Sequence, residues 1–229
     1  MVFTSRFPVF AVTADIVVLT LREGRLCVLL IRRSSSVFTG RWALPGGFVH
    51  VDETLEEAAY RELREEAGIG PDAVRLEQLR AYGDPGRDPR PERVVSVAWL
   101  ALGAHLPDPT PDTDADLAAW VPVAEASGRD LAFDHARILA DGVERARAKL
   151  EYTTVATAFC DRTFTLPDLR RVYEAVWDTT LDARNFHRKI LSADGFVEET
   201  GEVIRGRGNP ARVYRAGDAT TLHPPVLRR

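Results

Sequence analysis

Apolar residues recur with two different periods along the first two thirds of the chain. Short runs of valine, isoleucine and leucine predict buried strands, at residues 11–20, 25–31, 75–82 and 94–102. From Leu55 to Ala67 apolar residues recur every four positions, which predicts an amphipathic helix with a core-facing stripe. Thr54 and Glu57 form a capping-box pattern at its start. A last helix is predicted over residues 131–150, so the pattern favours an α/β fold.

The pattern changes near residue 151, where a second unit is predicted to begin. Helices are predicted at residues 167–177 and 181–192, and strands at residues 196–203 and 211–214. Helix, short turn, helix and β-hairpin is the order of a winged helix-turn-helix. The sequence therefore predicts two domains, residues 1–150 and residues 151–229.

The composition is that of an ordinary globular protein, with 45% hydrophobic and 28% charged residues among 229. It excludes disorder, collagen and coiled coil as descriptions of the chain. The longest apolar runs are far shorter than the roughly 18 residues that a membrane-spanning helix needs, and Pro8 and Asp15 interrupt any signal-peptide core. Cys27 and Cys160 suggest neither a disulfide framework nor a metal-binding spacing. We therefore expect a cytoplasmic protein without a membrane partner.

Charge is distributed unevenly between the two predicted domains. Residues 1–150 carry 18 basic and 23 acidic side chains, whereas residues 151–229 carry 12 and 11. The basic excess is concentrated between Arg184 and Arg215. Such a cluster is often a solvated surface, but on a helix-turn-helix it raises the expectation of nucleic-acid binding.

The most informative segment, residues 47–69, reads GFVHVDETLEEAAYRELREEAGI. Glu62, Glu65 and Glu66 stand at positions i, i+3 and i+4, so their side chains share one face of the predicted helix. Neighbouring carboxylates repel one another, and a divalent cation that prefers oxygen ligands, Mg²⁺ or Mn²⁺, would relieve that repulsion. Such an ion can also neutralise a pyrophosphate and activate an attacking water. The alternative is a solvated acidic face.

This segment resembles the Nudix box at each defined position of the box, namely Gly47, Glu53, Arg61, Glu62, Leu63, Glu65, Glu66, Gly68 and Ile69. The resemblance to Nudix hydrolases implies an α/β/α sandwich that cleaves a nucleoside diphosphate linked to another group. It implies that Glu65, Glu66 and the Gly47 carbonyl hold the metal, with Glu62 as a further ligand or as the general base. Glu53 and Arg61 would support the geometry of the loop and the helix.

A polar loop over residues 83–93 offers candidates for substrate binding. Arginine suits phosphate recognition, and the candidate substrate contacts of the loop are Arg87, Asp88, Arg90 and Arg93. Many Nudix hydrolases that act on dinucleotide sugars take a base from outside the box, and the acidic candidates for that role are Asp84, Asp88 and Glu92. The alternative interpretation is an ordinary polar loop.

The second half resembles a narrower group. Residues 163–214 contain FTLPDLRRVYEAVWD, LDARNFHRKIL, GFVEETG and NPARVYR. This succession resembles the C-terminal winged helix of the Nudix-related transcriptional regulators of bacterial NAD metabolism, and residues 83–90 and 131–139 look like that group too. The resemblance implies a homodimer that binds double-stranded operator DNA and senses ADP-ribose or a related nucleotide.

The second helix of the predicted winged helix carries side chains suited to base recognition. Arg184 and Arg188 are four residues apart, as are Asn185 and Lys189, and Arg and Asn pair well with guanine and adenine edges. Phosphate contacts are expected from the arginines of the predicted wing, Arg205, Arg207 and Arg212. The alternative is a basic surface on a dimerisation module.

These features predict a transcriptional regulator whose Nudix domain binds ADP-ribose or a related diphosphate and hydrolyses it with Mg²⁺ or Mn²⁺. Several regulators of the group it resembles have lost box carboxylates and bind their ligand without hydrolysing it. No box position is lost here, which favours retained catalysis. Two alternatives stay open: a Nudix hydrolase of the ADP-ribose pyrophosphatase type whose C-terminal domain does not bind DNA, and a regulator that senses without catalysis.

Overall fold

The computed structural model describes residues 9–110, 115–205, 210–223 and 225–227, without the side chains of residues 115 and 116. The chain forms two compact units. The first contains the described residues up to Leu19, Cys27–Ala101 and those within Leu106–Gly142, and the second contains Thr20–Leu26, Leu102–His105 and the described residues from Val143 onward. Over these ranges no helix is both long enough and apolar enough to cross a membrane.

The first unit is built on one sheet. Among the described residues its strands are β1 (Ala11–Arg22), β2 (Arg25–Arg33), β3 (Trp42–Ala43), β4 (Gly46–Phe48), β5 (Leu76–Tyr82), β6 (Val94–Leu102) and β7 (Ala115–Pro122). The strand order is β3-β2-β1-β6-β5, with β4 paired to β1 and β7 paired to β2. The helices are α1 (Leu55–Ala67), α2 (Val123–Ala126) and α3 (His135–Tyr152), and α3 contributes residues to both units.

Different helices cover the two faces of this sheet. Because side chains alternate along a strand, Ile16 and Val18 of β1 point to one face and Val17 points to the other. Ile16 and Val18 belong to one buried cluster with Leu63 of α1. On the other face a Cβ added to Gly142 of α3 would lie only 2.8 Å from Val17 Cγ1, so helix and strand approach closely there. The expected α/β/α sandwich is confirmed.

Helix α1 begins and ends as its sequence predicts. The Glu57 backbone N–H donates to Thr54 Oγ1 at 3.2 Å, and the Thr54 N–H donates to Glu57 Oε2 at 2.8 Å. At the other end Gly68 has a φ of 70°, a left-handed conformation that costs glycine little. These local bonds fix the orientation of the glutamate-bearing face relative to the loop that precedes it.

The sequence pattern does not predict β3, β4 or β7. The first two contain two and three residues, too few for a period to register. Strand β7 pairs with β2, from Cys27 opposite Pro122 to Arg33 opposite Ala115. Its own sequence, ADLAAWVP, alternates only weakly between apolar and polar residues. The long helix also begins later than predicted, at His135, because residues 131–134 form a bend and a turn before it.

The second unit has the order of elements expected of a winged helix. A 3-10 helix (Thr154–Phe159) is followed by β8 (Phe164–Thr165), α4 (Leu166–Trp177), α5 (Ala183–Ser192), β9 (Val197–Ile204) and β10 (Ala211–Ala216). In the described part of this unit the strands pair antiparallel in the order β8-β10-β9. The predicted winged helix-turn-helix is confirmed.

Tyr173 of α4 holds the core of the second unit together. It is fully buried, and its ring lies 5.3 Å from that of Phe186 in α5 and 5.9 Å from that of Trp177. Its hydroxyl donates to the Leu150 carbonyl at 3.0 Å. One side chain therefore joins α4, α5 and the C-terminal turn of α3.

We expect Gly142→Ala to lower the stability of the first unit. Alanine is normally the better helix former, but here its Cβ would collide with Val17, and such overpacking costs about 1–3 kcal/mol. Urea unfolding measures the effect. Gly70→Ala is the control, since its added Cβ meets nothing within 4 Å. Val17→Ala should partly restore the Gly142→Ala variant, and a neutral Gly142→Ala would contradict the close approach.

Candidate functional site

A cavity of about 680 Å³ lies on the first unit. It is lined by residues of α1, of β1 and β2, of the 83–93 loop and of the start of α3. Its charged and imidazole side chains are Asp15, Arg33, His50, Arg61, Glu62, Glu65, Glu66, Arg87, Asp88, Arg90 and His135. The cavity therefore brings together segments that are far apart in the sequence, including most of the predicted catalytic and substrate-binding residues.

Arg61 organises the wall formed by α1. Its Nε and Nη2 donate to the two carboxylate oxygens of Glu53 at 2.9 and 2.7 Å, and Nη2 also donates to the Phe48 carbonyl at 3.0 Å. Its Nη1 donates to Glu62 Oε1 at 2.7 Å and to Glu65 Oε2 at 3.3 Å. These bonds to Arg61 hold the pKa of Glu53 down at about 2. Arg61 thus ties the loop to the helix through Glu53 and the Phe48 carbonyl.

Glu66 occupies a different environment on the same helix face. Its Oε2 accepts a hydrogen bond from the Gly46 backbone N–H at 2.8 Å, which ties α1 to β4. Burial, and to a lesser extent the negative charges of Glu62 and Asp15, raise the pKa of Glu66 to about 8. Burial likewise raises the pKa of Glu62. Burial therefore favours the protonated, uncharged form of both carboxyls on this face.

The donor set of this face fits a hard divalent cation, although the observed side chains are not arranged around one. The carboxylates offer oxygen ligands, and a Cβ on Gly47 would lie 2.1 Å from Glu62 Oε1, so a larger residue there would push that carboxylate aside. Within the described residues, no three acidic, imidazole or thiol groups converge as a metal would require. Arg61 Nη1 bridges one oxygen of Glu62 and one of Glu65, so the guanidinium already neutralises part of the charge that a cation would meet.

A buried polar network forms another part of the cavity wall. Asp15 Oδ2 accepts a hydrogen bond from the Ser96 hydroxyl and lies 3.7 Å from Arg87 Nη2. Arg87 pairs with both carboxylate oxygens of Asp134 at 3.0 and 2.6 Å. His135 Nδ1 accepts the Leu44 N–H at 2.9 Å, and burial lowers the pKa of His135, which keeps its imidazole neutral. The network fixes the first residue of α3 to the loop that precedes β4.

Aromatic rings and arginines meet at the mouth of the cavity. The Arg90 guanidinium lies 4.7 Å from the ring centre of Phe48 and 5.6 Å from that of Phe133. The Arg33 guanidinium lies 4.7 Å from the ring centre of Phe133. Phe48 keeps 41% of its surface exposed. An exposed ring beside a guanidinium suits a ligand that carries both a flat base and negative charge.

The structure separates the candidates of the 83–93 loop. Arg87, Asp88 and Arg90 line the cavity, and Asp88 accepts the Arg90 backbone N–H at 3.0 Å. Arg93 is not among the lining residues: it donates to the Gly83 carbonyl and lies over Phe10. The acidic candidates Asp84 and Glu92 do not line the cavity either, and Asp84 pairs with Arg137 on the surface at 2.6 Å.

Sequence reasoning does not single out Asp15 and Arg33 as cavity residues. A signal existed for Asp15, since it is a charged residue in the apolar run ADIVVL. For Arg33 nothing in the local pattern distinguishes it from other residues at a strand end. Phe133 is also missed, although its positive φ of 54° marks an unusual turn that directs it into this site.

On the second unit, helix α5 presents an exposed polar face. Arg184, Asn185 and Arg188 are exposed, and Arg188 Nη2 donates to Asn185 Oδ1 at 3.1 Å. Lys189 lies at the edge of this face, half-buried, and its Nζ donates to the Val226 carbonyl at 2.6 Å. Phe186 and Ile190 point inward to the core. The residues predicted to contact DNA therefore lie on a different face of the helix from the residues that pack into the core.

The predicted wing is β9, β10 and their connection. Arg205 follows β9 and is exposed. Arg207 lies outside the described residues. Arg212 of β10 donates to both carboxylate oxygens of Glu199 at 3.1 and 3.0 Å, a cross-strand pair on an exposed surface. The charge of Arg212 is thus already paired with that of Glu199 within the wing.

Family models match both units of the chain. The NUDIX domain model matches residues 9–142, and the model of the NrtR DNA-binding winged helix domain matches residues 157–216. The ADPR responsive transcriptional repressor NtrR of Acinetobacter baylyi is 34% identical over 92% of this chain and 84% of its own. The chain belongs to the NrtR family of Nudix-related transcriptional regulators. The family models leave the predicted domain boundary at residue 150 between them, where it stays a prediction.

Two solved structures place this NrtR-family chain in context. Shewanella oneidensis NrtR in complex with a 27mer DNA is 33% identical, with a TM-score of 0.75 over 90% of this chain and 93% of the other. The NUDIX domain of Shewanella oneidensis NrtR in complex with ADP ribose is 34% identical, with a TM-score of 0.57 over 61% of this chain and 90% of the other. Both units therefore resemble their counterparts in known NrtR structures.

The Glu53–Arg61 pair of this NrtR-family protein should make its stability pH-dependent. Because the pKa of Glu53 is about 2 in the folded protein and 4.5 as its ordinary value, the pair stabilises the fold above about pH 4.5 and loses this effect as the pH falls towards 2. Glu53→Gln should destabilise the protein at pH 7 and converge with the parent at low pH. Paired unfolding curves across pH check this. An equal difference at every pH would contradict it.

Proposed function

We propose that this NrtR-family protein is a transcriptional repressor that binds operator DNA and responds to ADP-ribose or a related nucleotide. The observation that carries the proposal is the combination, in one chain, of a polar cavity with a glutamate face and a helix-turn-helix whose second helix exposes arginine and asparagine. The relatives support it, since their names and complexes join ADP-ribose and DNA in one family.

The cavity supports binding of a nucleoside diphosphate. Arg33 and Arg90 supply positive charge at its mouth, and Arg87 lies deeper, where Asp15 and Asp134 hold it in place. We propose that the arginines contact the diphosphate and that the exposed ring of Phe48 stacks on a flat base. Arg93 is proposed only as an indirect contributor, because it bonds within its own loop.

We further propose that the protein hydrolyses the diphosphate in this cavity. Glu62, Glu65, Glu66 and the Gly47 carbonyl would hold Mg²⁺ or Mn²⁺, which when bound would neutralise the diphosphate and lower the pKa of water. As the alternative to binding the metal, Glu62 would accept a proton from the attacking water once it is released from Arg61. Arg61 and Glu53 would keep the loop against the helix during this step.

For DNA, we propose that a homodimer places two α5 helices in successive major grooves. Arg184, Asn185 and Arg188 would contact base edges, and the wing arginines, Arg205, Arg207 and Arg212, would contact phosphates. Two symmetry-related helices require an inverted-repeat operator with roughly one helical turn between half-sites. A protein acting on chromosomal DNA in this way would work in the cytoplasm.

A gel shift on the protein's own and neighbouring promoters, with and without ADP-ribose, tests the regulator. Specific binding that ADP-ribose changes supports the proposal. Hydrolysis without specific DNA binding would instead leave a Nudix hydrolase with a C-terminal domain of another role. Specific binding without turnover would leave a sensor, which retains the regulatory part of the proposal.

Glu66→Gln should reduce hydrolysis of ADP-ribose by orders of magnitude while leaving ligand-free DNA binding intact. The substitution removes a charged oxygen ligand where negative charge develops in the transition state, and this residue belongs to the first unit. Release of AMP in the presence of Mg²⁺ or Mn²⁺ measures the effect. Glu56→Gln is the matched control, because Glu56 is exposed on the same helix and does not line the cavity. Equal turnover in both variants would refute the assignment.

Arg184→Ala and Arg205→Ala should weaken DNA binding in different ways. Loss of a base-contacting arginine costs about 1–3 kcal/mol on the specific site and relaxes preference at one base pair. Loss of a phosphate-contacting arginine weakens all sequences alike and lowers the salt slope by about one. Titrations on specific and scrambled duplexes at several salt concentrations separate the two. Identical behaviour of both variants would rule out this division of roles.

A further inference from the structure

The chain after the winged-helix match is bonded to the second unit at several points. The matched domain ends at residue 216, and we call residues 217–223 and 225–227 the C-terminal brace. Leu222 and Val226 of the brace are buried, at 4% and 3% exposure. Its Ala219 carbonyl accepts from Thr154 Oγ1 at 2.8 Å. The brace is therefore part of the folded unit although it lies outside the family's winged-helix domain.

The brace is anchored on the last turn of α3. The Leu222 N–H donates to the Tyr152 carbonyl at 2.8 Å, and the Leu227 N–H donates to Glu151 Oε2 at 3.1 Å. Glu151 is fully buried. Bonds to a buried carboxylate in a helix hold a peptide segment more firmly than bonds to an exposed one, because water does not compete for them.

The same segment holds α5 through Lys189. The Lys189 ammonium donates to the Val226 carbonyl at 2.6 Å, one residue before the bond to Glu151. Helix α5 has only ten residues, and among them Phe186 and Ile190 are buried. The bond from Lys189 adds a third fixed point on that helix. It connects α5, by way of the brace, to the last turn of α3.

We propose that Lys189 and the C-terminal brace position α5 for the major groove, and that Lys189 does not contact DNA. This assigns Lys189 a positioning role in place of the DNA contact that its sequence position suggests. A ten-residue helix that is free to tilt would present Arg184 and Arg188 at the wrong distance from base edges, and recognition is sensitive to small displacements of this kind. The inference rests on the proposed DNA binding.

Salt dependence distinguishes positioning from direct contact. Lys189→Met keeps the length of the side chain and removes its charge. We expect its affinity for a promoter fragment that the parent protein shifts to fall by about tenfold, with an unchanged slope of affinity against salt concentration. A lysine that contacts phosphate would instead lower the slope by about one. Lys189→Arg, which can still donate to a carbonyl, should restore much of the affinity.

Truncation of the C-terminal brace provides a second test of the positioning role. A chain ending at Ala216 should lose at least as much affinity as Lys189→Met, because it removes the Val226 carbonyl together with the other contacts of the brace. Adding Lys189→Met to the truncated chain should cost little more, because the bond that it breaks is already absent. A chain ending at Leu227 is the control for the two terminal arginines. A reduced salt slope for Lys189→Met, unchanged affinity, or losses that add would overturn the inference. Circular dichroism verifies that each variant is folded. If the parent protein shifts no promoter fragment, it is the proposed DNA binding that fails.

Discussion

The crowding of negative charge on one face of α1 is the constraint around which the cavity is built. A helix places Glu62, Glu65 and Glu66 side by side, and like charges at that spacing destabilise it. Arg61 neutralises part of this charge, and at the same time it holds the preceding loop through its ion pair with Glu53. The rest is met by the Gly46 N–H and by burial that favours the protonated carboxyl. The loop geometry and the charge balance therefore depend on the same few bonds.

The two units have separate hydrophobic cores and expose different surfaces. The first has a buried cluster around α1 and the sheet, and it exposes a polar cavity. The second has its own core around Tyr173 and exposes a basic helix face. The proposed nucleotide site and the proposed DNA-binding face thus rest on different cores and different surfaces. Helix α3 contributes residues to both units, as do the ends of β1, β2 and β6.

The sequence predicts those features whose cause is local. The capping box of α1, the spacing of its glutamates and the order of the winged-helix elements are all visible in short stretches, and the structure agrees with them. What it does not predict is which distant residue completes a contact. Asp15 and His135 lie on one cavity wall although 120 positions separate them. Residue type indicates a capacity to bond, and only the fold decides the partner.

The same limit explains Lys189. As a basic residue one turn from Asn185 it has the spacing of a DNA contact, and no local signal shows that its ammonium reaches a carbonyl 37 residues later. Strand β7 is a comparable case, since pairing with β2 stabilises a sequence whose own alternation is weak. In both cases the stabilising partner is distant in sequence, so periodicity and spacing carry no trace of it.

The absence of a side chain at Gly142 has a consequence for the ligand cavity. It lets α3 and β1 approach closely, and these two elements carry His135 and Asp15 into the same wall. Hydrogen bonds from Leu44 and Ser96 fix both side chains through neighbouring protein groups. The wall is preorganised, so an incoming ligand meets a surface that needs little rearrangement. A preorganised cavity selects ligands by how well their shape fits it. Ligand affinity then depends more on that fit than on rearrangement of the protein.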